Sequence, residues 1–196
     1  MDAQHTLKFW DTHGGYVAGQ PNKTELLEVV VDYKDSYAEI IDNKNNFTAH
    51  SYNPVYVTTG PLRECITAHL INDSKTQLEA DNKFSKTFLL LDKLKQIVDP
   101  SNNKKLTRAY VTCLESGKQI YAHSDTKGSY WDAINRYQFY FTGNDDMEQI
   151  INDTLFLIRP GYLYYFDHKQ IHSYHNNSSQ DLFLMVFDVE KNTIER

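Results

Sequence analysis

The run TRAYVTCLESGKQIYAH, residues 107–123, decides the architecture. Two stretches rich in β-branched and aromatic side chains, 107–114 and 119–123, flank the turn Glu115-Ser116-Gly117-Lys118. Such side chains suit a pleated, half-buried surface, and a short Gly-containing break between them marks a hairpin. The pattern then repeats. Strand-like runs at 135–142, 154–159, 162–167, 170–175 and 182–189 are separated by Thr142-Gly143-Asn144-Asp145, Pro160-Gly161 and Asn176-Asn177-Ser178. Many short strands at close spacing imply a β-sandwich or barrel.

Upstream of position 100 the texture differs. Residues 1–25 are polar and turn-rich and read as an irregular arm. LLEVVVDY, residues 26–33, reads as a buried strand, 42–54 as an Asn-rich loop, and Val55 to Thr58 as a short strand. Asp73 or Ser74 then caps a long helix, with Leu78, Phe84, Phe88, Leu91, Leu94 and Val98 on its buried face and Pro100 as its stop. The whole reads as one α+β domain, mainly β. An N-terminal α/β support region (1–100) with one long packed helix backs a β core (105–190).

Composition bounds the function. With 196 residues and 40% hydrophobic side chains, a packed core is within reach. The net charge of −6 argues against a dominant grip on phosphates, so no nucleic-acid partner is expected. No apolar run approaches the roughly 20 residues that cross a bilayer, so no membrane is expected either. The polar N-terminus lacks the apolar stretch of a signal peptide. The expectation is a cytoplasmic protein with Cys65 and Cys113 as reduced thiols.

The chemistry centres on His123-Ser124-Asp125. In a strand, positions i and i+2 share a face, so this imidazole and carboxylate can meet one metal ion. His172, from a distant strand, would complete a two-histidine, one-carboxylate facial set that leaves open positions for non-haem iron(II) and oxygen chemistry. A surface histidine beside an aspartate is the alternative. Arg136 lies in the aromatic strand Tyr137-Gln138-Phe139-Tyr140-Phe141, where a guanidinium needs an anion. A bidentate carboxylate ligand, an internal salt bridge or an exposed edge would each satisfy it. Trp131 and Tyr130 fit either a substrate entrance or rim packing, and Asp167 either supports a metal-bound histidine or caps a turn. His168 and His175 are expected to be exposed, and Cys113 to be a buried small hydrophobe.

At these residues the chain resembles the aspartyl/asparaginyl β-hydroxylase family of iron(II)- and 2-oxoglutarate-dependent oxygenases, over roughly 108–189. The pieces in order are Arg108-Ala109-Tyr110, Gly117, His123-Ser124-Asp125, Arg136-Tyr137-Gln138, Gly161, Phe166-Asp167, His172 to Asn176, and Phe187-Asp188. The resemblance implies a double-stranded β-helix, or jelly roll, of cupin type. It implies iron(II) on His123, Asp125 and His172, with 2-oxoglutarate as co-substrate near Arg136, Gln138 and Thr112. The implied reaction hydroxylates an amino-acid side chain of Asp, Asn or Pro type, free or in a peptide, and releases succinate and CO2. Two residues depart from the pattern. Leu182 stands where the family has a co-substrate arginine, and Gln138 where it has a histidine. The co-substrate pocket is then either rebuilt around Arg136, with Arg159 and Lys127 as further cations, or lost. A lost pocket leaves a cupin-like metal enzyme without 2-oxoglutarate, or an inactive binding protein.

Overall fold

The computed structural model describes residues 24–27, 31–49, 60–71, 82–126 and 128–191. Among these residues, eleven strands form two facing antiparallel sheets. They are β1 (Glu25–Leu26), β2 (Thr48–Ala49), β3 (Ile66–Ile71), β4 (Leu106–Leu114), β5 (Gln119–His123), β6 (Ile134–Tyr140), β7 (Met147–Ile151), β8 (Thr154–Leu157), β9 (Leu163–Phe166), β10 (His172–Asn176) and β11 (Leu182–Glu190). Three α-helices accompany them among the described residues: α1 (Lys34–Asp42), α2 (Ser85–Val98) and α3 (Ser129–Ala133). The large sheet runs β1-β9-β6-β11-β4-β3-β2, and the small sheet β5-β10-β7-β8. Successive core strands alternate between the sheets, apart from the β7–β8 hairpin within the small sheet, which makes a double-stranded β-helix.

Alternation along the strands separates two apolar layers. Ala109, Val111 and Cys113 of β4, Tyr137 and Phe139 of β6, and Phe183, Met185, Phe187 and Val189 of β11 join one cluster with Ile40, Leu90, Leu91 and Leu94 of the helices. The intervening residues Tyr110, Leu114, Tyr140, Leu182, Leu184 and Val186 join a second cluster with Ile120, Met147 and Tyr174 from the small sheet. The helices therefore cover the outside of the large sheet, and the second cluster fills the space between sheets. Glu39 of α1 fastens the helices together. Its carboxylate accepts the backbone N–H of Lys86 (2.9 Å) and Thr87 (2.7 Å). These are orphan donors of the first turn of α2, where negative charge is favoured.

The expected core strands recur within a residue or two, as does the stop of α2 before Pro100. Three features differ from the sequence reading. In place of a strand over 26–33, only Glu25–Leu26 pairs, on the β9 edge, while 28–30 lie outside the described residues. The helix begins at Ser85 and buries Thr87, Leu90, Leu91 and Leu94, with Phe88 and Val98 packed partly against the core. Its expected cap at Asp73 or Ser74, Leu78, the 55–58 strand and most of the 1–25 arm fall outside the described residues. Five elements had no sequence expectation: α1, β2 (inside the expected 42–54 loop), β3, α3 and β7. The N-terminal strand β3 pairs directly with β4 and so extends the large sheet itself. The β7–β8 hairpin turns on Asn152 and Asp153, both at positive φ (48° and 61°), as a two-residue primed turn requires.

Candidate active site

The sheets bring the sequence's three candidate ligands together. His123 ends β5, His172 begins β10, and the two are register partners. Their rings lie 4.2 Å apart. Asp125 follows β5 by two residues, and its backbone N–H donates to the His168 carbonyl (2.9 Å), which fixes the loop. His123 Nε2 and Asp125 Oδ1 are 3.9 Å apart, and one ligand atom from each of the three residues falls within a 4.8 Å group.

The donor chemistry fits a divalent metal. His123 Nδ1 is 2.7 Å from the Tyr121 carbonyl, and His172 Nδ1 is 2.9 Å from the Gln170 carbonyl. A carbonyl only accepts, so Nδ1 carries the proton in both rings, and each Nε2 offers its lone pair to the site. Burial, then His123, drive the His172 imidazole down to about 3, so it is neutral at ordinary pH. Burial would raise Asp125, but Arg136 together with His123, His172 and His168 outweighs it and holds the carboxyl at about 2. Two imidazoles and one carboxylate, converging in a buried site, form a set that a cation completes.

Arg136, 4% exposed, satisfies its charge internally. Nε donates to Asp188 Oδ1 (2.7 Å), Nη2 to Asp188 Oδ2 (2.8 Å) and Nη1 to Asp125 Oδ2 (2.6 Å). Of the three alternatives open in the sequence, the internal salt bridge is the one formed.

A cavity of about 290 Å³ opens beside the triad. It is lined by His123, Asp125, His172, Arg136, Gln138 and Thr112, so it gathers all six sequence-predicted site residues. Arg63 and Arg108 are its other cations, and Trp131 lines it as an entrance aromatic would. Trp131 carries Arg136 at 4.7 Å and Arg108 at 5.5 Å from its ring. Arg159 is exposed and Lys127 lies outside the described residues. Leu182 is fully buried in the layer between the sheets.

Behind the cavity sits a polar cluster that the sequence did not single out. Gln138 Nε2 and Gln149 Nε2 both donate to the Tyr174 oxygen, at 2.6 and 2.7 Å. Gln149 Nε2 also reaches Gln138 Oε1 (3.0 Å), and Tyr140 donates to the glutamine carbonyls (2.8 and 3.0 Å). The only trace in sequence is the i, i+2 pair Gln138 and Tyr140 inside an apolar strand. His168 corrects an expectation: it is 2% exposed, against Trp131, with Nε2 3.1 Å from the Trp131 carbonyl. His175 is half-buried. The His172 ring is supported by the Gln170 carbonyl, and Asp167 Oδ2 instead accepts from Gln170 Nε2 (3.4 Å) across a turn. Cys113 is buried among apolar groups, which push its thiol up to about 12. That is a packing residue and not a nucleophile.

Solved structures share the fold. A prolyl hydroxylase from Trichoplax adhaerens, in complex with a hypoxia inducible factor oxygen degradation domain peptide, superposes with a TM-score of 0.63 at 12% identity, covering 86% of this chain and 84% of that one. A Pseudomonas putida prolyl-4-hydroxylase gives 0.59 at 8% identity, covering 87% and 94%. A 2-oxoglutarate–Fe(II) oxygenase family oxidoreductase from Burkholderia pseudomallei gives 0.57 at 11% identity, covering 85% and 84%. No curated protein matches in sequence. The family model for aspartyl/asparaginyl β-hydroxylase matches residues 37–192, from α1 to just past β11. The chain thus belongs to the aspartyl/asparaginyl β-hydroxylase family of iron- and 2-oxoglutarate-dependent hydroxylases.

Proposed function

We propose that this protein hydroxylates an amino-acid side chain of Asp, Asn or Pro type, free or in a peptide, while converting 2-oxoglutarate and O2 to succinate and CO2. His123, Asp125 and His172 would hold iron(II). When bound, the metal supplies oxygen activation; the chain's own residues position the reactants and exclude water. The observation that carries this reading is the pair of inward Nε2 lone pairs and one carboxylate oxygen, opening onto a cavity inside a fold shared with hydroxylases.

Thr112 and Gln138 line that cavity and offer a hydroxyl and an amide N–H to a 2-oxo acid. At about 30 Å³ per water, the cavity equals roughly ten waters. That volume suits a small 2-oxo acid and one substrate side chain, and favours insertion of a single residue past Trp131 and Arg108. Arg108 favours a carboxylate or carboxamide over a proline ring.

One observation favours a second reading, a metal-dependent oxygenase that does not use 2-oxoglutarate: Leu182 is buried in the core, and Arg136 is already paired with two carboxylates. Anaerobic titration with iron(II), then 2-oxoglutarate, separates the two. Stoichiometric iron and a visible metal-to-ligand band support the first. Iron without the band, with O2 consumption independent of 2-oxoglutarate, supports the second. A chain that binds no iron sinks both.

A further inference from the structure

Arg136 is held too rigidly to serve a mobile ligand. Register places it opposite Asp188 on β11, and Asp188 is fully buried. The two parallel bonds from Nε and Nη2 to that carboxylate fix the plane of the guanidinium. Tyr130 adds a third restraint by donating its hydroxyl to Asp188 Oδ2 (2.8 Å). With the fork fixed, Nη1 reaches Asp125 Oδ2 at 2.6 Å. Asp125 needs this. It sits in a loop, and rotation about the terminal bond of an aspartate is broad and roughly two-fold. With Oδ2 held by Arg136, only Oδ1 remains beside His123 Nε2.

We propose that Arg136 is a positioning residue that keeps Asp125 a one-oxygen ligand and thereby preserves an open position on the metal. This inference rests on the iron-binding reading above. In a six-coordinate site, two imidazoles and one carboxylate oxygen leave three positions. A 2-oxo acid chelating through its keto and carboxylate oxygens would need two of these, so Asp125 would have to leave both free. A second Asp125 oxygen on the metal would occupy a position the chemistry needs. Asp188 acts one step further back, as the group that aims Arg136. It is not a cavity-lining residue.

The test uses the full chain with Arg136→Met and Asp188→Asn combined, so that Asp188 is not left buried without its cation, while Asp125, which loses the same cation, still faces the metal. Iron(II), 2-oxoglutarate and pyruvate are titrated anaerobically and followed by visible absorption. Pyruvate chelates through the same two oxygens but lacks the far carboxylate. The expected result is that iron stays stoichiometric while both 2-oxo acids weaken in parallel, roughly 10–100-fold. Loss of 2-oxoglutarate affinity alone, with pyruvate unchanged, would overturn the proposal, since Arg136 would then be the cation of the far carboxylate. No change in either acid, or loss of iron itself, overturns it too. If the double variant does not fold, Arg136→Lys, which keeps the charge but not the fork, is judged by the same three results. A wild-type protein that binds neither iron nor a 2-oxo acid refutes the functional reading above and is told apart by that control.

Discussion

On β11, Phe183, Met185, Phe187 and Val189 face the layer beneath α1 and α2, while Leu182, Leu184, Val186 and Asp188 face the small sheet. Neighbouring β4 and β6 divide their side chains the same way. The outer face is apolar and aromatic, with Phe139, Phe141 and Tyr33 in edge-to-face contact. The inner face carries Arg136, Gln138, Thr112 and Asp188 in an equally buried setting. What differs is how each face is specified. The outer face needs volume and apolar character, so many sequences would fill it. On the inner face, Arg136, Asp188 and the glutamine–tyrosine cluster each have defined partners, and losing one partner strands another.

The sharpest break in that contrast comes from the ligands. His123→Ala and His172→Ala should each bring bound iron close to zero and turnover to background. Melting of the metal-free protein should change little, because the remaining ring has lost only a neighbour. Metal analysis beside a melting curve checks this. A variant that keeps stoichiometric iron removes the triad from the mechanism.

The converse change lies on the outer layer. Leu91 of α2 is fully buried against it. Leu91→Ala should cost about 2–5 kcal/mol, roughly 10 °C in Tm at this chain length, with iron affinity unchanged. An equal loss of iron affinity would mean that the two faces are mechanically coupled and the contrast is false.

The outer face was the more legible in sequence. Phe183, Phe187, Leu91 and Leu94 announce themselves by period, because burial is a property each residue carries alone. Elements with a weaker pattern escaped: α1 buries only Ser36 and Ile40, and β7 hides its alternation behind Glu148 and Gln149. For the inner face, the sequence supplied candidates but no partners. His123, Asp125 and His172 could be named from spacing and resemblance, yet that Arg136 pairs with Asp188, 52 positions later, is a fact of register. His168 was misjudged for the same reason: nothing near it in sequence shows that Trp131 covers it.

Acid should find the inner face first. Native His172 stays neutral down to about 3, whereas an unfolded chain protonates histidine near about 6.5. Between those values the unfolded state binds more protons, so stability rises with pH and is lost as pH falls. Asp125, held at about 2, adds a loss in the same direction at lower pH. Urea unfolding of the metal-free protein should therefore weaken below about pH 6.5, by up to about 1.4 kcal/mol per unit from His172, with His168, which burial also pulls down, adding to it. The slope should flatten in His172→Gln. An unchanged slope would place the acid sensitivity elsewhere.

The smallest expected effect tests whether the polar cluster obeys inner-face rules. Tyr174→Phe keeps the ring and removes one oxygen. That oxygen accepts an N–H from each of Gln138 and Gln149, and the layer around it is apolar. Gln149 retains Gln138 Oε1 as an acceptor, but Gln138 Nε2 loses the partner that directs it. The cost should be about 1–3 kcal/mol, the range for a buried donor left without an acceptor. A matched change on the outer face, Tyr137→Phe, should cost less, since the Asn135 amide that its hydroxyl meets is only partly buried and can turn to water. If the two substitutions cost the same in parallel urea titrations, the cluster behaves as filler, and its hydrogen bonds contribute no more to the fold than the aromatic packing across the sheet.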